Sequence, residues 1–476
     1  MPRELVDRRH EAELLRQAHA GPPSLVIVMG RRRVGKSFLL ARVLTDERVV
    51  SFQADEQDQR GHLDLLAAEA SRLLPGSPPL RFGDWDEALL FFAAQAEQRQ
   101  VTLILDEFQH LCSAQPALPS IIQRHWDRWQ RDELPLTLVL SGSALSFMEG
   151  LLGHGAPLYG RATQRPFLRP LDYRDAAGFV STTDPEALLR RYAVIGGTPQ
   201  YQAWAGDRRL ETVLRTAVLA KGQPLYEDPL HLLREGEGVR DPATYFSILR
   251  AIAGGATQHN QIATRTDIAS SNLGSRLLRL EELGYVTGWA PLSADGPEPR
   301  RTSWRIADPY FAFYFRYVFP NRSRLERGLV DEVAREITAD LDNIMGRAFE
   351  DACRTWVGRY AGESVVGGSE QLGSWWSRDG SVEIDVVGVR KGRYALLGSC
   401  RWRRTIGSDV LDGLHEAQAA LGGKAMGARL ALFARRGFTA ELRERAEAER
   451  VLLVTAADLF APAPTDAAAA PAGGGS

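Results

Sequence analysis

Four short apolar runs punctuate the first third of the chain: LVIVMG (25–30), VVSFQA (49–54), VTLILDE (101–107) and LTLVLSGS (136–143). Each has the length of a buried strand, and the segments between them suit helices. Strand and helix in alternation predict a parallel sheet covered on both faces. From 176 to 240 the pattern is helical, broken at IGGTPQY (195–201). A compact unit follows at 241–320. It reads as a helix over 245–252, a second opened by Gln261-Ile262-Ala263, and a third capped by Ser270-Ser271-Asn272-Leu273, with Leu273, Leu277, Leu280 and Leu283 at helical spacing. Gly284 stops that helix, and two short strands flank the turn ADGPEP (294–299). DPYFAFYF (308–315) reads as an apolar docking segment. Residues 325–460 predict a long helix (329–360), strands near 382–389 and 393–400, a helix (408–421), a strand (428–434), a helix (438–448) and a strand (451–455). The spans are therefore 1–175, 176–240, 241–320 and 325–460, followed by a low-complexity tail (461–476) expected to be disordered.

At 44% hydrophobic and 25% charged residues, the 476-residue chain has the composition of ordinary soluble protein. No apolar run reaches the ~18 residues that span a bilayer, so no membrane role is expected. The charged N-terminus does not read as a signal peptide, and Cys112, Cys353 and Cys400 lack zinc-like spacing. A cytoplasmic location is the expectation. The net charge of −2 confines any nucleic-acid role to a local patch. Only four of the 58 basic residues are lysines, namely Lys36, Lys221, Lys391 and Lys424, so a retained lysine draws attention to its chemistry.

One of them closes a motif. Gly30-Arg31-Arg32-Arg33-Val34-Gly35-Lys36-Ser37 fits G-x-x-x-x-G-K-[ST] between an apolar strand and the helical run that begins at Phe38. Its glycines let backbone N–H groups curl around phosphates, and the helix N-terminus adds its dipole. These residues, Gly30 through Phe38, are the expected ATP contacts. Lys36 would reach the β- and γ-phosphates, and the Ser37 hydroxyl would ligate Mg²⁺. A second apolar strand ends in Asp106-Glu107, 70 residues beyond Lys36. Asp106 is the expected Mg²⁺ partner of Ser37, and Glu107 is placed to polarise an attacking water. The strand VVSFQA lies between the two motifs in sequence and is expected to lie between their strands in the sheet. Ser141, at the end of the fourth apolar run, reads equally as a γ-phosphate sensor or as a loop start.

These residues resemble the archaeal-type ATPase family of the STAND class of P-loop NTPases. The likeness runs through VDRRHEAELL (6–15), GRRRVGKS, LILDEFQ (103–109), LSGSALSFMEG (140–150), PLYGRATQRPFLRPL (157–171) and YAVIGGTPQY (192–201). It implies a sheet whose loop strand is flanked by the strand that follows the sensor, then a helical lid. It also implies Asp7 and Arg8 near the nucleotide base and Arg161 as a charge-stabilising arginine for its own or a neighbouring subunit's nucleotide. Gly196-Gly197-Thr198-Pro199 would then be a nucleotide-sensing turn in the lid, with Pro199 at the nucleotide.

The unit at 241–320 reads as a winged helix, a fold that in DNA-binding versions sends its third helix into the major groove. Between 241 and 305 it carries seven arginines and six acids, little for a DNA surface. Arg265, Arg276, Arg279, Arg300 and Arg301 are the residues that could form a patch, and a lid or packing module is the competing reading. The last domain resembles the restriction-endonuclease-like domain appended to this ATPase family. Glu350 would be its helix acid and Asp385 its strand acid, but Ser399 and Arg401 stand where a second carboxylate and a lysine belong. Serine removes a charge from a hard-cation site, and arginine does not deprotonate. Glu383 is expected on the opposite strand face. The fold reads as kept and its catalysis as lost.

Together these readings predict an α/β P-loop NTPase core with a helical lid, a winged-helix domain and a C-terminal α/β restriction-endonuclease-like domain. The expected function is a Mg²⁺-dependent, ATP-hydrolysing switch or small motor. The alternatives are a nucleotide-gated regulator of double-stranded DNA or a defence-type assembly and, behind these, an active metal-dependent nuclease. A protein partner or a second copy of the chain is the other expected contact.

Overall fold

The computed structural model describes residues 5–76, 78–234, 241–362, 365 and 367–461. The tail beyond Ala461 lies outside the described residues. Four parallel strands form the first sheet: β1 (Ser24–Met29), β2 (Val49–Gln53), β3 (Val101–Asp106) and β4 (Leu136–Gly142). Their order is β1-β4-β3-β2. The strand between the loop strand and the acidic strand is thus β4, not the VVSFQA strand expected there. Burial gives the reason. Every residue of β4 is buried, whereas β2 exposes Ser51 and Gln53. A strand apolar on both faces takes the centre, and one with a polar face takes the edge. On the outer side of β1, Ile27 N donates to Gln164 O (3.0 Å) and Leu168 N to Met29 O (2.7 Å). Residues 164–168 therefore flank the loop strand.

Helices Pro185–Ile195 and Pro199–Ala205 meet at Gly196-Gly197. A Cβ on Gly197 would lie 1.7 Å from Leu171 O, so only glycine allows this close approach. The next unit has helices Pro242–Ala253, His259–Thr266 and Ser270–Glu282. An antiparallel ribbon, Val286–Trp289 with Ser303–Ile306, follows. The third helix starts at Ser270 with Ala269 at its N-cap and no side-chain cap, so the capping role expected of Ser270 is absent.

Tyr310, Phe311, Tyr314 and Phe315 are fully buried, as a docking segment requires. Their core runs continuously from Val194 to Leu341 and includes Tyr201, Tyr226, Leu249 and Leu277. Packing therefore does not break at residues 241 or 325. The long helix Val330–Arg359 spans two cores. Val333 and Ile337 join the central core. Phe349 and Trp356 join Val386 and Phe433 of the C-terminal sheet, together with Tyr173. At ~1.5–3 kcal/mol for each fully buried large apolar side chain, this shared burial holds the units as one packed body.

The C-terminal sheet has five strands in the order Leu452–Thr455, Arg429–Ala434, Arg393–Arg401, Glu383–Arg390, Gln371–Trp376. The last of these, QLGSWW, has no clear apolar period and is not read from sequence. Among the described residues no helix is long and apolar enough to cross a membrane.

Candidate functional site

The loop after β1 turns into the helix Lys36–Val43 through Gly35, whose φ of 95° suits glycine. Lys36 is buried, and its Nζ donates to Gly30 O (3.0 Å) and Arg31 O (3.3 Å). Burial pulls its pKa down, while the charges of Glu107 and Asp106 oppose that shift. Ser37 Oγ donates to Asp106 Oδ2 at 2.5 Å, so the expected metal pair is in contact. A hydroxyl and a carboxylate beside a cradle of backbone N–H groups are hard oxygen donors, and they fit Mg²⁺ bound largely through phosphate and water.

Glu107 opens the helix Phe108–Ala114 in a left-handed conformation (φ 53°). Its Oε2 accepts from Ser143 Oγ (2.8 Å) and Gln109 Nε2 (2.5 Å). Burial raises its pKa, but Lys36, these two donors and Arg32 outweigh burial and hold it below the usual carboxylate range. It is an ionised, oriented acceptor at the mouth of the loop.

A cavity of about 370 Å³ covers this loop. It is lined by Arg32, Lys36, Ser37, Phe38 and Glu107 and by the apolar Leu5, Val6, Phe179 and Pro199. Arg8 also lines it, reaching Val34 O (3.5 Å) and Arg169 O. Such a cavity, lined by both charged and apolar side chains, suits a nucleotide.

Several expected residues lie elsewhere. Asp7 turns away from the cavity toward Arg359 of the long helix (3.7 Å), and Leu5 and Val6 take the place expected of it. Ser141 is fully buried inside β4, and among the described residues its Oγ has no partner. Ser143, two residues on and just past the strand end, is the hydroxyl that meets Glu107. Arg161 is held by Asp127 in a bidentate pair (2.6 and 2.8 Å) and does not line the cavity. It is not aimed at the chain's own P-loop.

Two of the three loop arginines reach outward. Arg31 donates to Asp308 Oδ2 (3.1 Å) and Gly284 O (3.0 Å) and lies over the rings of Tyr285 and Phe311. Arg33 pairs with buried Asp228 and lies over Trp204. Thr198 of the Gly-Gly-Thr-Pro turn also donates to Asp308 Oδ2 (3.1 Å). The loop backbone would face phosphate while these side chains hold the neighbouring units. Sequence reasoning treats all three arginines as nucleotide contacts. The acid that caps the aromatic segment, Asp308, is the signal it passes over.

Among the arginines proposed as a DNA patch, Arg279 donates to Ser146 of the NTPase core (2.9 Å), Arg265 to Gly254 O (2.7 Å), and Arg301 to Trp376 O and Glu298. The third helix thus faces the core; Arg276 is half-buried and donates to Asn272 O (3.2 Å), and Arg300 remains exposed.

In the C-terminal sheet, Asp385 is buried, and its Oδ2 accepts from Cys400 N (2.6 Å), Arg401 Nη1 (3.0 Å) and Ser399 Oγ (3.3 Å). The guanidinium of Arg401 therefore stands at the oxygen that would face a cation. Burial pushes Glu350 up to about 8, with the Asp385 charge adding to the shift. Desolvation and the Asp385 charge also raise Glu383, which stands exposed at the first residue of the strand; residues two apart on a strand share a face, contrary to the expectation above. Among the described residues no group of three or more His, Cys, Asp or Glu side chains is arranged to hold a metal ion.

A family model described as an AAA domain matches residues 22–176, and one described as archaea bacterial proteins of unknown function matches 314–414. An uncharacterized protein of Methanocaldococcus jannaschii is 26% identical over 421 residues, covering 85% of this chain and 89% of its own. Among solved structures, the Walker-type ATPase of Pyrococcus abyssi is similar at TM-score 0.49 and 20% identity, covering 66% of this chain and 97% of that one. The Aeropyrum pernix ORC2 protein is similar at TM-score 0.44 and 19% identity, covering 71% and 96%.

Proposed function

We propose that this chain, an AAA-type P-loop ATPase by its residues 22–176, is a Mg²⁺-dependent ATP-hydrolysing switch that passes its nucleotide state to the units beyond the core. The observation that carries the reading is the contact set Ser37–Asp106 and Ser143–Glu107–Gln109 around buried Lys36. In it, Ser37 and Asp106 would hold Mg²⁺, which when bound neutralises phosphate charge. Lys36 would exchange its two loop carbonyls for phosphate oxygens. Ionised Glu107, steered by Ser143 and Gln109, would orient a water toward the γ-phosphate. The apolar side chains of Leu5, Val6 and Phe179 would take the base.

Transmission follows the arginines. Arg31 and Arg33 tie the loop to Asp308 and Asp228, so a shift of the loop backbone is felt by the lid and the central core. Residues 241–320 act in this reading as a winged helix that packs on the core. Residues 325–460 act as a restriction-endonuclease-like domain without nuclease chemistry, because Arg401 occupies the cation side of Asp385. Equilibrium binding of Mg-ATP tests the site: the wild-type chain binds and Lys36→Ala does not. Equal affinity in both would remove the P-loop from the account.

A further inference from the structure

A second, larger cavity, of about 930 Å³, lies where the P-loop, the ribbon Val286–Trp289/Ser303–Ile306 and the long helix meet. We propose that it binds a diphosphate-bearing small molecule, separately from the nucleotide held by the P-loop. The volume lies in the range of small-molecule sites, and junctions between packed units are where such sites concentrate.

The charge of its walls carries the assignment. Six arginines line it: Arg31, Arg169, Arg305, Arg316, Arg347 and Arg354. Its acids are Glu281, Asp308 and Asp351. Asp308 is already used by Arg31, and Asp351 by Arg354 and Arg305. Glu281 accepts from Gly288 N. Among the described residues, Arg347 and Arg169 make no ion pair with any carboxylate, and they approach from different walls, the long helix and the segment after the sensor. Arg316 reaches Asp340 only at 3.7 Å. The uncompensated surplus is thus two to three positive charges, and a diphosphate carries roughly that number of negative charges near neutrality.

The inner wall is preorganised. Arg305 lies over the Trp289 ring at 3.4 Å and Arg354 over the same ring at 5.0 Å. Trp289 is itself fixed by donation to Ser374 Oγ (2.6 Å). The side chains of Arg305 and Arg354 are only 15% and 10% exposed, and Asp351 holds both while Asp385 O also accepts from Arg354 Nη1 (2.6 Å), so neither guanidinium rotates freely. Burial pulls the Arg305 pKa down to about 10, with Arg354 and Arg347 adding to the effect against Asp351. An anion in the cavity would relieve that field. Arg31 belongs to both this wall and the P-loop, so the occupant would act on the same arginine that links the loop to Asp308.

Calorimetric titration of the full chain with ADP, and separately with inorganic pyrophosphate, tests the site. Two ADP sites are expected. Lys36→Ala removes the P-loop site alone. Arg347→Glu and Arg169→Glu, both at exposed side chains, each weaken the second site about tenfold or more and leave the first intact. Pyrophosphate binding as tightly as ADP would identify the free anion as sufficient. ADP binding more tightly would identify a nucleotide. The proposal is overturned by a single ADP site with no pyrophosphate site beyond the P-loop, or by a second site indifferent to both reversals. It is also overturned if the reversals spare both probes but abolish retention of duplex DNA, which would make this a nucleic-acid surface. A single ADP site lost in Lys36→Ala, with no pyrophosphate site beyond the P-loop, would sink this inference while leaving the P-loop assignment standing.

Discussion

Arg31 of the P-loop and Asp308 of the aromatic segment are joined by a 3.1 Å ion pair although 277 residues separate them. Asp308 is buried, and its other oxygen accepts from Tyr310 N (2.8 Å) and Phe311 N (3.2 Å). A single carboxylate therefore caps the aromatic segment, anchors Thr198 and holds the P-loop. Burial opposes the charge of Arg31, but Asp308 outweighs it and keeps the guanidinium firmly protonated.

Removing one partner of such a pair strands the other charge, at a cost of about 3–5 kcal/mol. Asp308→Ala is expected to lose stability in that range. A double-mutant cycle with Arg31→Ala in denaturant unfolding is expected to give a coupling energy of about 1–3 kcal/mol. Additive effects would mean that the loop and the aromatic segment are energetically separate.

Arg161 is expected to matter little to turnover by the isolated chain, because Asp127 holds both sides of its guanidinium. Steady-state ATP hydrolysis by Arg161→Ala should stay within about threefold of wild type, far from the ~10³-fold loss that removing a charge-stabilising arginine causes. A loss of that size would require Arg161 to leave Asp127 during turnover.

The acid pocket of the C-terminal sheet makes stability depend on pH. Folded Glu350 holds its proton up to about pH 8, whereas the unfolded group releases it near the ordinary carboxylate value of ~4.3. Between those limits the folded state carries the extra proton, so stability falls as pH rises. The slope is at most ~1.4 kcal/mol per pH unit. Glu350→Gln should flatten it and gain on wild type at pH 8 and above, as measured by denaturant midpoints. Identical slopes in both chains would place Glu350 in water.

Much of the site is legible where chemistry and local period coincide. Gly30 to Ser37 sit between a wholly apolar strand and a helix, and Asp106-Glu107 end another such strand, so residue type and position agree. The strand order is not legible in the same way. Sequence order places β2 between the motifs, but only the burial of both faces of β4 decides which strand is central. Strand alternation could have placed Glu383 beside Asp385, and the DEFQ run carries Gln109 in plain view. Long-range pairing is a different matter. Nothing local says that Arg31 turns to Asp308, that Arg161 turns to Asp127, or that Asp7 faces Arg359, because each depends on how distant elements pack. The helix Ser270–Glu282 starts without a side-chain cap because its apolar residues Leu273, Leu277 and Leu280 are buried in the central core and packing supplies what the cap would have added.

Glu107, held by Ser143 and Gln109, is the residue proposed to orient the hydrolytic water. Glu107→Gln keeps the shape and the neighbours but removes the charge. Steady-state hydrolysis and equilibrium binding of Mg-ATP, measured on this variant and the wild type, give the most direct test. Nucleotide affinity within a few-fold of wild type and turnover reduced about 10²–10⁴-fold are expected. Full turnover in Glu107→Gln would contradict it and leave Glu107 a structural acid at the start of its helix.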